Sequence, residues 1–401
     1  MIKIEDYRDV APQGTVDLLL KLAEKVRGRR FLHVSMTRYG GGVAEILQRL
    51  VPIMVDLGIE AGWEIIGGDA EFFSVTKAIH AALEGEDQII TDEMLQHYLE
   101  MNRLTALKLN LDADLVLVHD SPPASLVEHR PPEGTWVWRC HVDLSSPHRR
   151  IWNFFRRYVT RYDAAVFSLP KFSQKLGIPK FIIHPSIDPL SDKNRDLSRR
   201  EVQTLLASLG VPQDKPLLLQ VGPFDRYRDP IGIINAYRMV KKHHDVRLVL
   251  VGGGSAAGSE NTDVHEVVRD TATHDPDIVL LDLPPDAHLQ INALQRAATV
   301  VLQKSARDGF AIGIAEAMWK GKPVIGWASG GIPAQIIYDV TGYTVTSVEG
   351  AAFRLRHLLN NPELVARIGG AGREHVRRNF LITRHLSDYL ALLVHLTGRS
   401  T

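Results

Sequence analysis

The chain reads as an α/β protein of two doubly wound halves, and three observations carry that reading. Short apolar, β-branched runs alternate with amphipathic helical stretches along the 401 residues, the pattern of buried parallel strands joined by crossover helices. The alternation pauses once, at residues 184–194 (H-P-S-I-D-P-L-S-D-K-N), where proline, serine and charge show no helical period, and then restarts. A length of 401 residues also exceeds what one core usually holds. The expected division is 1–185, 186–378 and a terminal helix, 379–401, packing back on the first half.

In the first half, residues 15–26 carry an amphipathic period and residues 31–36 (F-L-H-V-S-M) read as the first strand. Gly40, Gly41 and Gly42 follow, and a helix begins at once. Three consecutive glycines let backbone approach a ligand with no Cβ in the way. The pattern is neither G-x-G-x-x-G nor a P-loop, since no Lys-Ser/Thr follows. Strand and helix then alternate through residues 63–66, 75–83 and 92–107 to apolar strands at 115–119 and 136–140. The second of these delivers His141 and Asp143 at its C-terminal end, where open α/β sheets place their ligands. For His141 taken alone, a structural histidine hydrogen-bonded at a loop start is an equal reading. Strands at 164–169 and 181–184 complete this half.

After a helix at 198–209, strands are expected at 216–221, 246–251, 278–281 and 298–302. The last leads into residues 305–319 (S-A-R-D-G-F-A-I-G-I-A-E-A-M-W), the stretch around which the second half is organised. Asp308 stands before a helix and Glu316 about two turns along it, next to helical N–H groups that favour an anion. A strand follows from residue 324, then the glycine turn of Gly330 and Gly331. Arg226, Arg228 and Lys322 supply cations near this carboxylate pair. Cations with paired carboxylates suit a ligand bearing phosphates and vicinal hydroxyls. Asp308 and Glu316 as the acid and nucleophile of a glycosidase is the weaker assignment, because flanking a bond usually takes two separate elements. Residues 371–396 read as one terminal helix with a leucine-rich end that packs on another element.

Composition narrows the class. Lysine plus arginine equals aspartate plus glutamate at 47 each, so no bulk field recruits nucleic acid or an anionic membrane. The single cysteine, Cys140, excludes an intrachain disulfide and a cysteine-based metal site. Seventeen histidines form no H-E-x-x-H or similar cluster and read as scattered structural residues. No apolar run approaches a membrane span and the N-terminus has no signal-peptide pattern, so a soluble, cytoplasmic protein is expected. A homodimer is the base expectation for a soluble enzyme.

The motifs carry a family resemblance. Asp308-Gly309-Phe310-Ala311 with Glu316-Ala317-Met318 resembles the E-x7-E signature of retaining glycosyltransferases of the GT-B fold (glycosyltransferase family 4). More narrowly, the chain resembles the trehalose glycosyltransferring synthases at residues 40–47, 138–147, 185–191 and 316–326. The resemblance implies two Rossmann-like domains facing across a crevice, residues 1–185 on the acceptor side and residues 186–378 binding the nucleotide sugar. It implies reversible, metal-free transfer of glucose, with retention, from ADP- or UDP-glucose to glucose, giving α,α-trehalose. It implies a donor site of Gly40, Gly41, Gly42, Arg226, Arg228, Phe310, Ala311 and Glu316, with Glu316 on the ribose hydroxyls. His141, near the glucosyl 6-hydroxyl, Asp308 and Arg228 form the catalytic set, and Asp143, Arg139 and Glu45 line the acceptor side.

Three positions depart from the family pattern. Pro223 stands where the arginine of R-x4-K is expected, with Arg228 at the lysine; Asp308 replaces glutamate; and Ala311 replaces glycine. Two alternatives therefore stand beside the transferase. One is a trehalose phosphorylase, whose smaller phosphate needs fewer cations. The other is a sugar-binding homologue without turnover.

Overall fold

The computed structural model describes residues 2–225, 227–252, 259–305 and 309–398. The chain divides into two units, residues 1–186 with 382–401, and residues 187–381. Among the described residues each unit is built on a six-stranded, all-parallel sheet.

In unit 1 the strands are β1 (Arg30–Ser35), β2 (Glu60–Ile65), β3 (Leu115–His119), β4 (Thr135–Cys140), β5 (Ala164–Phe167) and β6 (Lys180–Ile182), in the order β2-β1-β3-β4-β5-β6. The principal helices are α1 (Thr15–Glu24), α2 (Gly41–Asp56), α3 (Ala70–Leu83), α4 (Asp92–Ala106) and α5 (Arg149–Val159). β3 is buried at every residue, which is why L-V-L-V-H has no polar alternation: helices cover both faces of a parallel sheet. The winding order reverses between the parallel neighbours β1 and β3, so their C-terminal ends flank the switch point where such sheets open a crevice for ligands.

Unit 2 repeats the plan with β7 (Leu217–Val221), β8 (Arg247–Gly252), β9 (Ile278–Asp282), β10 (Val300–Gln303), β11 (Val324–Trp327) and β12 (Gly342–Val345), ordered β12-β11-β10-β7-β8-β9. Its helices are α6 (Arg199–Ser208), α7 (Pro230–Lys241), α8 (Ser259–Ala272), α9 (His288–Ala297), α10 (Ile312–Trp319), α11 (Ile332–Gln335), α12 (Val348–Leu359) and α13 (Pro362–Asn379). The switch point lies between β7 and β10. The last helix, α14 (Ile382–Thr397), belongs to unit 1 and packs on α1 and α2, burying Leu386, Leu390 and Leu393.

The terminal stretch expected as one helix is thus two helices in two units. At the break, the Phe380 carbonyl accepts the Ile187 N–H at 2.8 Å and Leu381 bridges Ile187. A non-local pairing ends α13 where the local sequence carries no breaker. The strand expected at residues 246–251 is β8, and the residues that follow Gly252 lie outside the described residues.

Candidate active site

In unit 1 the β1 strand ends in a loop that turns through Gly40 and Gly41, at φ +74° and +79°, and enters α2 directly. Positive φ requires glycine at these two positions. Gly42 is not so constrained, and a Cβ at any of the three meets no protein atom within 4 Å. The loop is braced from outside the glycines: Gln48 Nε2 donates to the Arg38 carbonyl at 2.7 Å, and Arg38 Nη2 to the Trp63 carbonyl at 2.9 Å. The three glycines are therefore exposed backbone held in a defined turn.

Asp120 ties the ends of β3 and β4 together. It sits at φ +63°, a conformation aspartate tolerates, and its carboxylate accepts the His141 N–H at 2.6 Å. Its own N–H donates to the Arg139 carbonyl at 2.8 Å, and its carbonyl accepts from Trp138 Nε1 at 2.9 Å. Burial pushes the Asp120 carboxyl up, against the His141 N–H that favours the ionised form. His141 is thereby fixed at the strand end and is half-buried. Asp143, two residues on, accepts the Ser145 N–H at 2.9 Å and is also half-buried.

Behind His141 runs a line of imidazoles. His33 Nδ1 lies 3.0 Å from His119 Nε2, and His119 Nδ1 lies 3.1 Å from His141 Nε2. His33 is fully buried and His119 is 3 % exposed. Burial holds the His33 imidazole down, to about 3, and pushes His119 and His141 well below the usual range, with the Arg139 charge acting in the same direction on the latter two. Histidines expected to be scattered are here collected beneath the switch point.

Arg139, expected on the acceptor side, is 0 % exposed, and its Nη2 donates to the Ile183 carbonyl at 2.7 Å. Fully enclosed, it acts on a ligand only through its neighbours in this state. Glu45 is half-buried on α2, one turn past the glycines.

In unit 2 the two switch-point loops are joined by side chains. Arg228 Nη1 donates to Ser305 Oγ at 2.9 Å, tying the loop after β7 to the loop after β10. Asp225 shapes that first loop by accepting the N–H groups of Tyr227 and Arg228 at 2.9 and 2.7 Å. Asp229 then caps α7 by accepting the Gly232 N–H at 2.9 Å, ahead of Pro230 in the first helical turn, and ion-pairs with Lys304. Pro223 is half-buried in the same loop.

Ala311 caps α10 in the left-handed region at φ +59°, with no side-chain cap. Helix α10 therefore starts at Ile312, and Glu316 stands about one turn along it, not two. The Glu316 side chain is 4 % exposed and pairs with Lys193 Nζ at 3.0 Å. The Phe310 ring is buried and meets the Phe380 ring edge-on, centroids 5.6 Å apart. Gly331 is required by close approach: a Cβ there would lie 2.7 Å from Phe310 Cα. Lys322 lies before β11, at the opposite edge of the sheet from the switch-point loops, so it does not join the strand-end cations. Arg226 and Asp308 lie outside the described residues.

The stretch read as a linker is in part a wall of this site. Asn194 is 2 % exposed, its carbonyl accepts from Trp319 Nε1 at 3.2 Å, and its Oδ1 accepts from Lys320 Nζ at 2.8 Å. Lys193, Asn194, Asp120, His33 and His119 were not singled out from the sequence. The run K-N beside an otherwise apolar helix bearing Glu and Lys was the one available signal.

Comparison with known proteins places these features in a family. Residues 33–174 match the family described as trehalose synthase, N-terminal domain, and residues 201–375 match glycosyl transferases group 1. The trehalose synthase of Pyrococcus horikoshii is 43% identical over 99% of this chain and 97% of its own length. A trehalose phosphorylase of Pleurotus pulmonarius is 24% identical over 93% of this chain and 58% of its own length. The fold matches that of sucrose-phosphate synthase from Thermosynechococcus elongatus with a TM-score of 0.71, at 17% identity, over 93% of this chain and all of that one. Two parallel-sheet α/β units with these relatives are the GT-B architecture. The chain belongs to the trehalose synthase family and is a glycosyltransferase-type enzyme of trehalose-related glycosyl transfer.

Proposed function

We propose that the protein is a retaining glucosyltransferase that makes, and reversibly cleaves, α,α-trehalose, using a nucleoside diphosphate glucose and glucose without a metal. The observation that carries the donor side is Arg228, whose guanidinium is held by Ser305 across the β7–β10 switch point. A fixed cation at this position stabilises the charge that develops on a departing diphosphate. Glu316, ion-paired with Lys193, accepts paired ribose hydroxyls. The exposed backbone of Gly40, Gly41 and Gly42 approaches the diphosphate and the transferring sugar. His141 contacts the glucosyl group, and Asp143 and Glu45 belong to the acceptor pocket with Arg139 behind them. On the family resemblance Asp308, Arg226, Phe310 and Ala311 complete the donor side.

Incubation with glucose and ADP-, UDP- or GDP-glucose tests the reading. One donor is expected to give a non-reducing disaccharide with the α,α linkage, unaffected by EDTA. No disaccharide from any donor, with folded protein, rejects it.

A second reading has its own support. Pro223 leaves the donor loop one cation short of the family pattern, which suits inorganic phosphate, and a trehalose phosphorylase is among the relatives. Phosphate-dependent release of glucose 1-phosphate from trehalose separates the two.

A further inference from the structure

We propose that His33 and His119 are positioning residues that fix His141 as the neutral Nδ1–H tautomer, so that Nδ1 is the donor offered to the transferring glucosyl group. The proposal rests on the reading that His141 faces that group.

Three rings make two contacts, at 3.0 and 3.1 Å, between ring nitrogens alone. Each contact needs one proton, and a neutral imidazole carries one. The middle ring, His119, therefore donates to one neighbour and accepts from the other, and the chain has a single direction. Two arrangements satisfy this. In one, His33 Nδ1–H donates to His119, His119 Nδ1–H donates to His141 Nε2, and the third proton sits on His141 Nδ1. In the other, every bond is reversed and the third proton sits on His33 Nε2.

The ends decide between them. His33 Nε2 is buried and has no hydrogen-bond partner among the described residues. A proton there would be an orphaned N–H donor in the interior, which is rare and costly. His141 is the one ring of the three that reaches the surface, where its end N–H meets water or substrate. The proton therefore belongs on His141 Nδ1. A histidine side chain in water prefers the Nε2–H tautomer, so the buried pair reverses an intrinsic preference.

Neutrality follows from the surroundings. Arg139 on β4, Arg384, His385 and Tyr389 on α14, and Asp120 after β3 are the titratable or charged groups around the line. Tyr389 lies 5.9 Å from the His33 ring and 4.6 Å from the His385 ring. Burial and the buried Arg139 charge both oppose an added proton. A neutral donor also adds no positive charge beside an oxocarbenium-like transition state.

The test is long-range 1H–15N correlation on full-length protein labelled with 15N-histidine, with His141 assigned from the His141→Gln spectrum. Wild type is expected to show Nδ1–H at His141, His119 and His33 between pH 6 and 8. His33→Phe keeps the stack on Phe31, whose ring lies 4.7 Å away, but removes the first donor. It is expected to give mixed tautomers at His141 and a kcat lowered about ten- to a hundredfold with KM for the donor unchanged. His33→Asn places an amide N–H where Nδ1 was and is expected to restore both. Thermal unfolding confirms that each variant is folded. An Nε2–H tautomer at His141 in wild type overturns the proposal, as does a His33→Phe enzyme with unchanged kcat. The tautomer is read without turnover, so a protein making no disaccharide rejects the transferase reading alone.

Discussion

Lys193 Nζ lies 3.0 Å from Glu316 Oε1, with the two side chains 15 % and 4 % exposed. The pair joins the loop after residue 187 to α10, and Asn194 and Lys320 bond beside it. Removing one member of such a pair leaves a buried charge uncompensated. Lys193→Met is expected to lower stability by about 3 kcal/mol and to raise KM for the nucleotide sugar. The double variant Lys193→Met/Glu316→Gln is expected to recover most of the stability but not the KM. Denaturant unfolding and kinetics of the four-member cycle read both outcomes, and additive stability losses would remove the coupling.

The glycine loop separates strain from ligand approach. Gly41→Ala forces a Cβ into positive φ and is expected to cost about 1–2 kcal/mol. Gly42→Ala has open space around it and lies inside α2, so stability is expected to hold or rise by a few tenths of a kcal/mol. If a diphosphate sits against this backbone, the same methyl raises KM for the donor about tenfold. Unchanged donor kinetics in Gly42→Ala would place the diphosphate elsewhere.

Ala311 departs from the family's glycine, and its φ of +59° shows what that departure costs. Ala311→Gly relieves a left-handed residue at the α10 cap while adding unfolded-chain entropy. The balance is expected to favour the folded protein by up to about 1 kcal/mol, read as a raised Tm. A lowered Tm would mean that the alanine methyl, buried at 7 % exposure, contributes more by packing than the backbone loses.

Acid stability follows from the buried histidines. His33, His119, His141 and His385 are all held below their unfolded value of 6.5, each chiefly by burial. Below about pH 6.5 the unfolded chain binds protons that the folded chain refuses, so stability is fully present above that pH and falls as pH drops. Each histidine steepens the fall by up to about 1.4 kcal/mol per pH unit. His33→Phe is expected to flatten the curve by that amount between about pH 6 and 4.5, and equal slopes in the two proteins would contradict it.

Much of the fold was legible because parallel strands buried on both faces show as unbroken apolar runs. Residues 115–119 and 217–221 are examples, within a residue of the expected limits. The strand-end residues Gly40, Gly41, His141 and Arg228 were legible for the same reason, since each follows such a run. What was not legible depends on pairing at a distance. His33 reads as one more strand residue until His119, 86 positions on, is beside it. Residues 184–194 have the composition of a linker, and only the packing of their end on α10 gives Lys193 and Asn194 a role. The break at Phe380 has no proline or glycine to announce it, because its cause is Ile187.

The most direct measurement of the central claim is product analysis of the purified protein with α,α-trehalose and excess ADP, then UDP, then inorganic phosphate. Nucleoside diphosphate glucose and free glucose are expected in one of the first two reactions. Glucose 1-phosphate in the third alone, or no product in any of them from folded protein, would contradict it.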